Sequence, residues 1–139
     1  MRAPLVRLGI ALFLAFSLAG CHFFAQLFAL QKGMGARYHA APTSINVNSG
    51  THGTVMTVLF GDSAHMNLPD SDRAAFARDV AEYVRDHYQD YPTLTSVTVG
   101  FTSTQDYGVV HVTRNQAPYS FTRDELGPAR DTLNSHPTF

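Results

Sequence analysis

SDRAAFARDVAEYVRDHY, residues 71–88, is the stretch on which the fold turns. Phe76, Ala77, Val80, Ala81, Val84 and Tyr88 recur at intervals of three and four, and Arg78, Asp79, Glu82, Arg85 and Asp86 fill positions between them. That period gathers apolar side chains into one stripe and sends charge to the other side, so the stretch predicts an amphipathic helix buried along one face. Asp70 or Ser71 is placed to cap it, Asp72 suits the positive end of its dipole, and Pro92 lies just beyond its end. The charged face is expected to be solvated surface rather than a site.

On both sides of this helix the period changes from 3.6 to 2. Upstream, Ser44-Ile45-Asn46-Val47-Asn48 alternates polar and apolar, and Ser49-Gly50-Thr51-His52-Gly53 supplies turn residues before Val55–Phe60, which predicts a hairpin. Apart from Thr57 the second run is apolar on both faces, as expected of a central strand. Downstream, Val97, Val99 and Phe101 alternate with Ser96, Thr98 and Gly100 within 94–102. Tyr107–Thr113 follows after Ser103-Thr104-Gln105-Asp106, a second predicted hairpin. Pairing neighbours gives an α+β fold of order ββαββ. It has a four-stranded, mostly antiparallel sheet with the main helix on one face and room for a second, N-terminal helix. Thr122-Arg123-Asp124-Glu125 has capping-box form, but Gly127-Pro128 should stop any helix at once, leaving 127–139 as a loose tail.

The chain has 139 residues, 45% hydrophobic and 15% charged, the size of one domain. Its only cysteine, Cys21, excludes an internal disulfide and a thiolate metal cage. Ahead of it, Arg2 and Arg7 form a positive segment, an apolar run spans Leu8–Leu18, and small residues follow, which is the grammar of an export signal. Leu18-Ala19-Gly20-Cys21 resembles the lipobox of bacterial lipoproteins. The resemblance implies that 1–20 is a signal peptide removed by signal peptidase II, and that the Cys21 sulfur carries a diacylglyceryl group. It also implies an acylated Cys21 amine, so that two or three chains hold the protein on a bilayer where one would be marginal. With His22 rather than aspartate after the cysteine, the resemblance favours the outer membrane over the inner in a Gram-negative envelope, on the periplasmic side. The competing reading is an uncleaved span over 8–30, which Gly20, His22 and Gln26 interrupt.

Loss of 1–20 removes Arg2 and Arg7 and leaves 8 basic against 11 acidic side chains, a net charge of −3 that does not favour nucleic acid. In residues 23–38, Phe24, Leu27, Phe28, Met34 and Tyr38 fall at spacings compatible with one helical face, although Gly33 and Gly35 weaken a helix. This segment is expected to dock on the domain, to lie in the membrane interface beside the anchor, or to act as a loose tether. Ala40-Ala41-Pro42 reads as a linker, giving an anchor region 21–42 and an α+β domain 43–126.

Three constellations bear on chemistry. Gly61-Asp62-Ser63 after a strand resembles the nucleophile block of the GDSL hydrolases, whose serine attacks an ester. A serine needs a base for its proton and donors for its oxyanion. The family's Gly-x-Asn-Asp segment is missing, and the only Asp-x-x-His, Asp62 to His65, overlaps the serine itself. A turn after a strand is the plainer reading, with a small hydrolase using Ser63 or a histidine as the alternative. Histidines stand at 22, 39, 52, 65, 87, 111 and 136 with no His-x-x-x-His or His-Glu-x-x-His. The alternative there is a metal held by His52, His65 and His111 converging from loops and a strand. The third is an uncharged sheet face of Ser44, Asn46, Asn48, Ser96, Thr98 and Thr102, either the wet side of the sheet or a docking surface. The layout is similar to that of small uncharacterised bacterial lipoproteins. The expectation is a membrane-anchored, non-catalytic binding or structural module with a protein partner at the envelope and no cofactor, metal or nucleic acid.

Overall fold

The computed structural model describes residues 3–61 and 63–130, with side chains described from Gly20 onward apart from Ser63. Along the chain run α1 (Ala3–Tyr38), β1 (Ser44–Gly50), β2 (Gly53–Phe60), α2 (Ser63–Met66) and α3 (Asp70–His87). A 3-10 turn at Tyr91–Thr93 leads to β3 (Ser96–Asp106), β4 (His111–Asn115), β5 (Tyr119–Thr122) and α4 (Arg123–Leu126).

The protein is an α+β fold in which the helices cover one face of a mostly antiparallel sheet. β1 and β2 form the expected hairpin, with Gly50 opposite Gly53 and a two-residue loop, Thr51-His52. Gly53 holds φ at 107°, and a Cβ there would lie 1.9 Å from the Thr95 hydroxyl, so both backbone and space require glycine. β2 is central, as its apolar character predicts, between β1 and β3. It meets β3 in parallel, Val55 opposite Ser96 and Phe60 opposite Phe101. A parallel pair needs a long crossover, and α3 supplies it.

Five strands are present among the described residues where four were expected. β4 and β5 share the far edge of β3, β5 along Ser96–Val99 and β4 along Thr102–Asp106. Gln116-Ala117-Pro118 separates them, and proline cannot donate to the ladder, so one return path is cut into two short strands. The second hairpin also turns later than expected: β3 continues through Ser103–Asp106, and the turn is Tyr107–Val110, where the Tyr107 amide donates to the Val110 carbonyl at 2.9 Å. Gly108, with φ 85°, takes the first central position, where type II′ hairpin turns place glycine.

Ala77, Val80, Ala81 and Val84 of α3 have no exposure and share one core with Met56, Val58 and Phe60 of β2 and Val97, Val99 and Phe101 of β3. Full burial of such side chains contributes about 1.5–3 kcal/mol each for the larger ones. α1 adds Leu30 and Met34 to that core, with Leu27 and Tyr38 packed at its margin. Phe24 and Phe28 do not follow them: they are 71% and 70% exposed. The expected single face fails because a helix advances about 100° per residue, so a chain of threes, fours and sixes from Phe24 to Met34 drifts around the axis. The segment Ala40–Pro42 is a short packed connection, with Pro42 fully buried.

Two details of α3 depart from expectation. Pro69, not Asp70 or Ser71, occupies the cap and accepts the Arg73 amide at 2.9 Å, with no side-chain cap bond. Asp70 instead receives the Arg73 guanidinium at 3.0 Å and the Tyr119 hydroxyl, tying α3 to β5. Nor is the charged face wholly solvated. Arg85 is 3% exposed, donating to the Leu126 carbonyl at 2.7 Å and through two nitrogens to Asp86 at 2.8 and 3.0 Å. Burying that cation requires partners, and α4 brings one. The Thr122–Glu125 capping box forms as expected, and the helix stops at Gly127. The Arg130 amide still bonds Asp86 at 3.1 Å, while 131–139, most of the expected tail, lie outside the described residues.

Candidate functional site

Cys21 lies exposed within α1, and a Cβ built on the preceding Gly20 would meet nothing within 4 Å. From Cys21 to Leu30, the first fully packed side chain of the helix, nine residues rise about 14 Å. Polar links then hold the helix to the domain and to the connection that follows it. Gln26 donates to Asp90 at 3.2 Å, Gln31 donates to the Pro42 carbonyl at 2.9 Å, and Arg37 pairs with Asp79 at 3.1 Å. Tyr38 donates to the same Asp79 at 2.7 Å and meets Phe60, Phe76 and Tyr83 edge-on, so burial, then the Asp79 bond, pushes its hydroxyl well above the ordinary tyrosine range. Gly33 permits the close approach, since a Cβ there would lie 2.0 Å from the Tyr83 hydroxyl. Leu18 and Ala19, which precede Gly20-Cys21 in the lipobox-like segment, belong to the same helix, though their side chains lie outside the described residues. No helix among the described residues is long and apolar enough to cross a membrane.

The Gly-Asp-Ser segment sits where β2 leaves the sheet. Ser63 opens α2, but its side chain and all of Asp62 lie outside the described residues. The His65 ring lies 4.2 Å from the Phe76 ring and 5.9 Å from the Phe60 ring, packed on the rim of the aromatic core. The metal alternative needs His52, His65 and His111 to converge, and they do not. His52 precedes β2 and His65 follows it, so the strand's length, roughly 23 Å over seven steps, separates them. His111 stands on β4, paired with Asp106 at 3.6 Å. Among the described residues no three His, Cys, Asp or Glu side chains gather as a metal site.

The face of the sheet away from the helices is assembled in register: Asn46, Thr57, Thr98 and Ser120 form one row, and Asn48, Val55, Ser96 and Thr122 the next. Thr98 and Ser120 share a hydroxyl hydrogen bond at 2.9 Å. The rows carry no charged side chain, and Leu59 lies across Gly100, whose built Cβ would come within 2.6 Å of it. Thr102 continues the same side of β3 opposite Asn115. Beyond Phe101, β3 keeps only β4 as partner, and residues 104–118 are all exposed. The tip of this arm carries Tyr107, Val110 and Val109, the last 97% exposed. The sequence alone reads Tyr107–Thr113 as the second strand of this hairpin, after a turn at Ser103–Asp106. The turn signal that reading passed over is Gly108 two residues after Asp106, whose carboxylate accepts a hydrogen bond from the Gly108 amide at 2.9 Å.

His52, His65 and His111 thus stand apart, while the sheet face gathers uncharged hydroxyls and amides. Comparison with protein-family models, with curated proteins and with solved structures found no match.

Proposed function

We propose that the chain is a bacterial lipoprotein whose mature form begins at Cys21, is held on a membrane by acyl chains on that residue, and presents the 43–126 domain on the periplasmic side as a non-catalytic binding module. The observation that carries this reading is the placing of Cys21: after Leu18-Ala19-Gly20, exposed, and on a helix docked to the domain from Gln26 onward. The chain has no second cysteine to pair with this thiol, and among the described residues no three His, Cys, Asp or Glu gather as a metal site, so acylation is the chemistry this reading assigns to it. For the domain, the uncharged sheet face and the protruding arm are the surfaces suited to a protein partner at the envelope. Backbone edges and alternating side chains are what such recognition uses.

Growth of expressing cells with radioactive palmitate tests the anchor. Label is expected on the wild type and lost in Cys21→Ala; an unlabelled wild type, or label unchanged in the variant, contradicts it.

A further inference from the structure

Cys21, Phe24, Phe28 and Lys32 follow one another at spacings of three, four and four, which places them within about 80° around the α1 axis. All four are exposed, the two phenylalanines at 71% and 70%. Leu30 and Met34, buried in the core, project from the opposite side of the same helix. Charge divides in the same way. No aspartate or glutamate precedes Asp62, so α1 carries no acidic group. Of its two described cations, Arg37 is engaged by Asp79 at 3.1 Å, while Lys32 has no carboxylate partner among the described residues. One side of the helix therefore presents, in order, the acylation site, two uncovered aromatic rings and an unpaired ammonium.

We propose that this face seats the domain on the phospholipid bilayer. Phe24 and Phe28 enter the boundary between acyl chains and headgroups, and Lys32 meets lipid phosphate. The proposal rests on acylation of Cys21. Two features select a bilayer as the occupant rather than a protein groove. The rings lie one and two turns from the atom that carries the lipid, and the cation stands one turn further from it, at headgroup distance. Interfacial helices sink an apolar side about 5–10 Å and keep basic groups at the phosphates, and here the long Lys32 side chain can reach the phosphates from the same side as the rings. Because Gln26, Arg37 and Tyr38 lock α1 to the domain, the seated helix fixes the domain's orientation instead of leaving it on a loose tether.

The chain has no tryptophan, so Phe24→Trp and Phe28→Trp each install a single reporter at a position exposed enough to accept it without disturbing the core. The full-length variants and wild type are expressed with radioactive palmitate. They are then reconstituted into vesicles of phosphatidylethanolamine and phosphatidylglycerol, with and without bromine on the acyl chains. The expected result is labelled protein whose tryptophan emission shifts to the blue and is mostly lost in brominated vesicles, with little quenching by aqueous iodide. Labelled protein whose emission iodide quenches and bromine leaves unchanged overturns the seating while the anchor stands. Unlabelled wild type overturns the anchor and the seating together.

Discussion

Met34 and Phe28 lie fewer than two turns apart on α1, both large and apolar, yet Met34 has no exposure and Phe28 is 70% exposed. The difference is angular. Met34 and Leu30 turn toward α3 and the sheet, where Tyr38, Phe76 and Tyr83 close around the joint. Phe24 and Phe28 turn with Cys21 toward the other side, where the fold supplies nothing to cover them. Apolar character alone therefore does not report what a residue on this helix is for. One face belongs to the stability of the domain and the other to whatever lies outside it.

Substitutions should separate the two faces, and the largest effect is expected inside. Met34→Ala removes a fully enclosed side chain and should lower the unfolding free energy by about 2–5 kcal/mol. Met34→Leu should cost less than about 1.5 kcal/mol. Urea unfolding of the full chain in mild detergent reads both, and a Met34→Ala change as small as that of Phe28→Ser would erase the distinction.

A smaller effect is expected at high pH at the same joint. Tyr38 is held neutral, its hydroxyl raised first by burial and then by the Asp79 bond. A raised folded pKa means that the contribution is full below the ordinary tyrosine value near 10 and is lost as pH climbs toward the folded value. Melting temperature should fall more steeply above about pH 10 in wild type than in Tyr38→Phe. Equal slopes would show that the phenol is not held by this joint. At the small end, Phe24→Ser and Phe28→Ser should leave unfolding free energy within about 0.5 kcal/mol of wild type. A loss comparable to that of Met34→Ala would mean that the outward rings stabilise the domain after all.

What the sequence disclosed follows the range of the forces involved. α3 was legible because its six apolar positions obey one period, and the β1–β2 hairpin because Gly50 to Gly53 carries its own turn chemistry. β5 was hidden by its brevity and by Pro118, although Tyr119 and Phe121 alternate with Ser120 and Thr122. The burial of Arg85 was out of reach, since its partner is the carbonyl of Leu126, forty-one residues on. The convergence of histidines weighed as an alternative was out of reach for a like reason: His52 and His65 are close in sequence but stand at opposite ends of β2. Of the candidate site, the proposed acylation of Cys21 is argued from local spacing, the resemblance of Leu18-Ala19-Gly20-Cys21 to a lipobox. The division of Phe24 and Phe28 from Met34 required knowing which way the helix docks.

The proposed attachment through Cys21 is most directly tested by the intact mass of the protein extracted from the membranes of expressing cells. A species starting at Cys21 and heavier than residues 21–139 by a diacylglyceryl group, with or without an acylated amine, is the predicted result. A species starting at Met1, or one starting at any residue without lipid, would contradict it.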